Sequence, residues 1–318
     1  MSLFNNPPLI VVAGATAVGK TDMAIKIALR FDGEIVSADS MQVYRHLNIG
    51  TAKPSPQQLS LVPHHLIDCI NLNEEFNAAI YVQKAQAIIA DIAKRGKTIV
   101  VVGGTGLYIR ALLGGLISAP AGNSELRDSY RKIVNDFGVP HLHAILRIKD
   151  QQSAQIISPN DFPRIMRALE TIEITGKSIV ALREEHRFVG NQQYNHILIG
   201  LSMDKEELFK RINMRVEQMI DNGWVDEVKS ILTKSSHSQE LHALRAVGYK
   251  HIIQYLDGNK TLEEAMRIIK QETRNYAKRQ INWFSSQKNI TWYTYNDVNA
   301  IMEKVESFIT SKAVYATE

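Results

Sequence analysis

The chain has 318 residues, 45% of them hydrophobic and 22% charged, which suffices for two domains or for one core carrying an insertion. That composition, with a single cysteine at Cys69, excludes a disordered chain, a collagen-like repeat and a disulfide scaffold. The 37 basic and 33 acidic residues leave a net charge of +4, which permits a nucleic-acid partner without arguing for one.

No apolar run approaches the roughly 20 residues of a membrane helix. No basic segment precedes the first run either, so a soluble cytoplasmic protein without a signal peptide is expected. In chain order, residues 9–13 read as a strand buried on both faces, followed by a helix over 21–30 and a second such strand over 34–38. A third strand is expected over 65–70, a helix over 76–95 closed by Gly96, and a fourth strand over 98–102. From about 118 to 195 the strand pattern stops. Helices are expected there over 126–137, 142–157 and 163–175, divided by glycine and proline. A strand resumes at 197–201, helices dominate from 206, and residues 290–294 are strand-like. Strand and helix in alternation imply an α/β fold, a parallel sheet flanked by helices, with residues 1–117 and 196–318 as core and 118–195 as a small all-helical insertion domain.

Chemistry enters at Gly14, Ala15, Thr16, Ala17, Val18, Gly19, Lys20 and Thr21, which match G-x-x-x-x-G-K-[ST] between a strand and a helix. Such a loop turns backbone N–H groups toward phosphate oxygens, Lys20 adds a full positive charge, and the Thr21 hydroxyl can ligate Mg²⁺. A kinase or ATPase on this loop needs a carboxylate at a strand end to organise the metal. Asp39 follows the second strand at the same sheet edge and reads as a metal-organising group or a general base, with a helix N-cap for the segment after it as the structural alternative. His64 and His65, adjacent in a strand, face opposite sides and read as structural rather than as a metal pair.

Asp39-Ser-Met-Gln-Val-Tyr-Arg45, Asn48-Ile-Gly-Thr-Ala-Lys-Pro54, Pro63-His-His-Leu-Ile-Asp68 and Gly103-Gly-Thr-Gly-Leu-Tyr108 are not general features of such loops. With Pro159-Asn-Asp161, Arg167-Ala-Leu-Glu170, Arg245-Ala-Val-Gly-Tyr249 and Thr273-Arg-Asn-Tyr-Ala-Lys-Arg-Gln280, they resemble the tRNA dimethylallyltransferases over most of the chain. Three positions depart from the family pattern: Ala15 and Val18 replace a proline and a serine, and Ser158 replaces a histidine.

The resemblance implies that the loop holds dimethylallyl diphosphate, with Mg²⁺ at Thr21, and that the acceptor is the amine of the adenosine just 3′ of a tRNA anticodon. It implies Asp39 as general base, with Thr105 beside it, and Arg215 on the leaving diphosphate; on spacing alone Arg211 serves as well. It implies an RNA-facing surface comprising Asp39, Ser40, Met41, Gln42, Thr105 and Arg127. To these it adds Pro163, Arg164, Ile165, Met166 and Arg167, and then Arg245, Ala246, Val247, Gly248, Tyr249 and Lys250. The partners so implied are the tRNA anticodon stem-loop and dimethylallyl diphosphate, with no membrane, and a monomer is expected. Residues 267–288 add six basic residues against one acid, Glu272, interleaved with Tyr276, Trp283 and Phe284. That pattern suits RNA phosphates and stacked bases, or else a solvated helix whose aromatics lie in the core. The rival classes are a small-molecule kinase, a prenyl transferase acting on free adenine nucleotides, and a nucleotide-dependent RNA-binding switch.

Overall fold

A computed structural model describes residues 7–116, 122–189, 194–234 and 241–314. The chain divides into two compact units, Met1–Leu113 with Gln193–Glu318, and Gly114–Gln192 between them. The inserted unit thus starts four residues before the expected position 118 and ends three before 195.

The first unit begins with β1 (Leu9–Gly14), α1 (Lys20–Arg30), β2 (Gly33–Ser37), α2 (Pro56–Leu61) and β3 (His64–His65). It continues through α3 (Ala78–Lys94), β4 (Thr98–Gly103) and α4 (Gly106–Gly114). The strands form one six-stranded sheet in the order β3-β2-β4-β1-β5-β6, where β5 is His196–Ser202 and β6 is Ile290–Thr294, and every pairing is parallel. Alternate residues of β1 feed two cores. Leu9 and Val11 face a cluster with Tyr81, Trp224 and Phe284, whereas Ile10 and Val12 face Met23, Ile27, Ile212 and Val305. Double-sided burial is why the strands read as unbroken apolar runs, and each buried Val, Ile or Leu contributes about 1.5–3 kcal/mol. The strand expected over 65–70 is cut to two residues, because Leu66 and Asp68 take positive φ (61° and 52°), which no strand allows. Helix α2, not anticipated, is set by a capping box in which Ser55 and Gln58 satisfy each other's backbone N–H.

The second unit is helical: α5 (Ser124–Phe137), α6 (Val139–Lys149), α7 (Gln151–Ile156), α8 (Phe162–Thr175) and α9 (Ile179–Val189). The single helix expected over 142–157 is broken at Asp150, which leaves helical φ/ψ and whose carboxylate caps the Ser153 amide. Leu142, Leu146, Ile165 and Leu169 form its core.

After β5 the first unit adds α10 (Lys205–Asp221), α11 (Trp224–Lys234), a 3₁₀ turn (His242–Arg245), α12 (Tyr249–Leu256), α13 (Leu262–Ser285) and, after β6, α14 (Val298–Val314). No helix among the described residues is long and apolar enough to cross a membrane. His65 pairs with the buried Glu34 at 2.7 Å, in the structural role expected of it.

Candidate active site

The loop after β1 runs between that strand and the start of α1, as the glycine-rich motif predicts. Gly19 ends it at φ +96°, a conformation open to glycine, and a Cβ there would also meet the Tyr295 ring at 2.5 Å. Ala15 and Val18, the two departures within the loop, are both buried. Lys20 opens α1 and donates to the Ala15 carbonyl at 2.6 Å. Burial, reinforced by Arg215 and opposed by Asp39, lowers the Lys20 ammonium from 10.5 to about 8. One loop amide departs from expectation: Thr16 N–H donates to Gln280 Oε1 at 2.8 Å and is therefore not among the donors turned to a ligand.

Asp39 lies just beyond β2, and its Oδ1 accepts from the amides of Met41 (2.8 Å) and Gln42 (3.2 Å). It caps a tight turn rather than a helix. Thr105, two residues beyond β4, donates its amide to Ala38 O at 3.2 Å and accepts from the Ser40 amide on Oγ1 at 3.2 Å, which ties the segments after β2 and β4 together. Gln42 donates to the carbonyls of Thr51 and Ala52, both at 3.1 Å, and so holds the Asn48–Pro54 block beside Asp39. These groups gather at the carboxyl edge of a parallel sheet, where open α/β folds place their ligands.

Two adjoining hollows lie there. One, about 260 Å³, is polar and is lined by Lys20, Thr21, Ser37, Gln42, Lys53 and Gln280. The other, about 320 Å³, is walled by Met41, Ile212, Val216, Met219, Trp224 and Ile269. Thr16, Asp39, Arg215 and Tyr276 border both. Burial and the neighbouring Arg211 lower the Arg215 pKa, against Asp22. Arg211 pairs instead with Glu207 at 3.0 Å and borders neither hollow, so of the two arginines the structure puts Arg215 in the cavity. A larger hollow of about 700 Å³, near His46, Asn71 and Glu227, holds none of the loop residues.

For a magnesium ion the donor chemistry fits. Thr21, Ser37 and Asp39 supply hard oxygens, and among the described residues no cluster of three His, Cys, Asp or Glu makes an all-protein cage. Mg²⁺ characteristically takes one or two carboxylates and completes its shell with substrate phosphates and water.

The RNA-facing residues named from sequence divide into several groups. Ser40, Met41, Ala246 and Val247 border the apolar hollow. Gly248 and Tyr249 are buried, the latter donating to Glu227 at 2.7 Å, and are not surface groups. Lys250 is exposed but paired with Glu272 at 2.9 Å. The Arg245 side chain lies outside the described residues. Within the helical unit, Ile165 is a core residue and Met166 packs beside it, leaving Pro163 and Arg164 as the exposed members of their block. Arg127 and Arg167 converge on the fully buried Glu170, with N–O distances of 2.9, 3.2 and 2.8 Å; the Asn123 amide adds a fourth bond at 2.6 Å. Burial pushes the Glu170 carboxyl up, but these donors outweigh it and hold the pKa below its usual value.

The basic stretch on α13 is largely engaged within its own unit. Lys270 pairs with Glu217, Arg274 donates to Asn213 at 2.6 Å, and Lys278 lies 5.5 Å from the Phe209 ring. Phe284 is a core residue and Trp283 lies under the Arg110 guanidinium at 4.8 Å, as the core reading of these aromatics had it. Tyr276 is the exception. It borders both hollows, lining the polar one beside Gln280. Burial, and then the Asp39 carboxylate, push its pKa well up.

The chain matches the IPP transferase family model over residues 42–287. It is 47% identical to tRNA dimethylallyltransferase 2 of Syntrophus aciditrophicus (strain SB) over 303 residues, 95% of this chain and 97% of that protein. It is 46% identical to the protein of the same name from Geotalea uraniireducens (strain Rf4), covering 90% and 92% of the two chains. Among solved structures, a tRNA isopentenylpyrophosphate transferase from Bacillus halodurans superposes with a TM-score of 0.70 at 38% identity, covering 98% of each chain. A eukaryotic dimethylallyltransferase captured acting on tRNA superposes with a TM-score of 0.78 at 28% identity, covering 92% of this chain and 75% of that one.

Proposed function

This chain belongs to the IPP transferase family, and we propose that it transfers a dimethylallyl group from dimethylallyl diphosphate to the exocyclic N6 amine of the adenosine 3′ of the anticodon in tRNA. The observation that carries this reading is the pair of joined hollows. A polar one holds the phosphate loop, an apolar one adjoins it, and Asp39 and Arg215 stand at their common border. An amphiphilic donor, with a charged head and a short isoprenoid tail, matches that division.

In the reaction the N6 nitrogen forms a bond to C1 of the dimethylallyl group as the C1–O bond to diphosphate breaks. The bonding pair of that C–O bond leaves with the diphosphate, and the proton of N6 passes to Asp39. An aryl amine is a weak nucleophile because its lone pair is delocalised into the ring, so a positioned base is worth about 10²–10⁴ in rate. With Oδ1 held by two amides, Oδ2 is the oxygen left for that proton. Lys20 and Arg215 stabilise the charge that gathers on the leaving group. A magnesium ion, held by Thr21 with Asp39 near, would add further charge neutralisation at the diphosphate.

We read the protein as a cytoplasmic monomer, the location being in keeping with a tRNA substrate. Incubation with unmodified tRNA, Mg²⁺ and dimethylallyl diphosphate labelled in the prenyl group tests the reading. Label should enter tRNA and inorganic diphosphate should be released in equal amount; diphosphate release without labelled tRNA would overturn it.

A further inference from the structure

Gln280 has no part in the chemistry above, yet its side chain bonds two loops that line the polar hollow. It is an amide in an otherwise apolar stripe of α13, between Ala277 and Phe284, and is itself buried. Its Oε1 accepts from the Thr16 amide in the phosphate loop at 2.8 Å. Its Nε2 donates to the Gly104 carbonyl at 3.0 Å, one residue before Thr105. One turn earlier on the same helix, Tyr276 lines the polar hollow beside Gln280, and Thr105, next after Gly104, receives the Ser40 amide next to Asp39.

We propose that Gln280 is a positioning residue, a two-ended clamp that fixes the distance between the diphosphate loop and the Asp39–Thr105 edge, and so aligns donor with base. This rests on the transferase reading above. Buried amides without partners are costly, so an amide bonded at both ends to two different loops constrains both. The glycine at position 104 fits the same account. A Cβ there would fall 2.2 Å from Gln280 Nε2, while its next neighbours are 3.4 Å or more away, so glycine leaves room for the clamp and for little else. Misplacement by about 1 Å costs roughly 10²-fold in rate when reacting atoms must be aligned.

Gln280→Ala removes both bonds; Gly104→Ala leaves the glutamine but displaces its amide. Each should lower kcat about 10–100-fold, with KM for donor and for tRNA within about threefold, and the melting temperature should fall by roughly 2–8 °C because loop groups lose their partners. The double variant should be no worse than the worse single one, because both act on one contact. Exchange of the Thr16 amide proton with solvent should also quicken in Gln280→Ala. That readout does not depend on turnover, so it tests the clamp even where no prenyl transfer is seen and the transferase reading fails. Full kcat in both single variants, additive losses in the double one, or an unchanged Thr16 exchange rate would each overturn the proposal.

Discussion

Asp39→Asn separates the base from the turn it caps. In the native protein Oδ1 takes the Met41 and Gln42 amides at 2.8 and 3.2 Å, and an asparagine carbonyl oxygen can accept both bonds unchanged. The turn, the Ser40–Thr105 bond and the position of Gln42 should therefore persist, and stability should move by less than about 1 kcal/mol. What is lost is the second oxygen, replaced by an NH₂ group that cannot take a proton from N6. Loss of a general base corresponds to about 10²–10⁴ in rate, or roughly 3–5 kcal/mol of transition-state stabilisation. Asp39→Ala should be as slow and also less stable, since it leaves both amides without their acceptor. The assay is single-turnover transfer with enzyme in excess over tRNA, which removes product release from the measurement, alongside donor binding by calorimetry. A rate for Asp39→Asn within threefold of wild type would refute the role given to Asp39.

Lys20 makes donor binding pH-dependent. Its ammonium is lowered to about 8 in the free protein, so below pH 8 it is already charged for the diphosphate. Above pH 8 binding must take up a proton, and the donor Kd should rise toward tenfold per pH unit; a flat profile from pH 7 to 9.5 would contradict this. Arg215→Ala should lower kcat through lost leaving-group stabilisation, while Arg211→Ala, whose partner is the exposed Glu207, should be nearly silent in the same kinetic assay. Glu170→Ala should destabilise the protein by about 1–3 kcal/mol in denaturant melts, because it removes a buried acceptor and leaves the Asn123 amide without it. With its folded pKa held below the usual 4.5, Glu170 contributes stability above pH 4.5 that fades as the pH falls below it, which acid titration of the fold would register.

Much of this site could be read from sequence because its parts are local. The phosphate loop is eight consecutive residues, and Asp39 follows an apolar run that has nowhere to lie but in the sheet. What sequence patterns missed are contacts over long separations. Gln280 reaches Thr16 across 264 positions and Gly104 across 176. The available sign was a single amide on the buried face of a long helix, since a buried polar group must find a partner. Charge counting met a related limit. Along α13 it recorded basic residues but not that Glu217, Asn213 and Phe209 lie opposite them on α10. Likewise Arg127 and Arg167 were legible as arginines, but the glutamate that holds both was legible only as part of a motif. The third strand failed at Leu66 and Asp68, whose positive φ leaves no trace in hydropathy.

The central claim is that Asp39 and the phosphate loop together prenylate an adenosine within tRNA. Its most direct test is mass spectrometry of nucleosides digested from tRNA after reaction with dimethylallyl diphosphate and Mg²⁺, with free AMP as acceptor in a parallel reaction. The account predicts N6-(dimethylallyl)adenosine from the position 3′ of the anticodon, none with Asp39→Asn on the same timescale, and little product from AMP. Equal prenylation of AMP, or unmodified tRNA with intact donor, would contradict it.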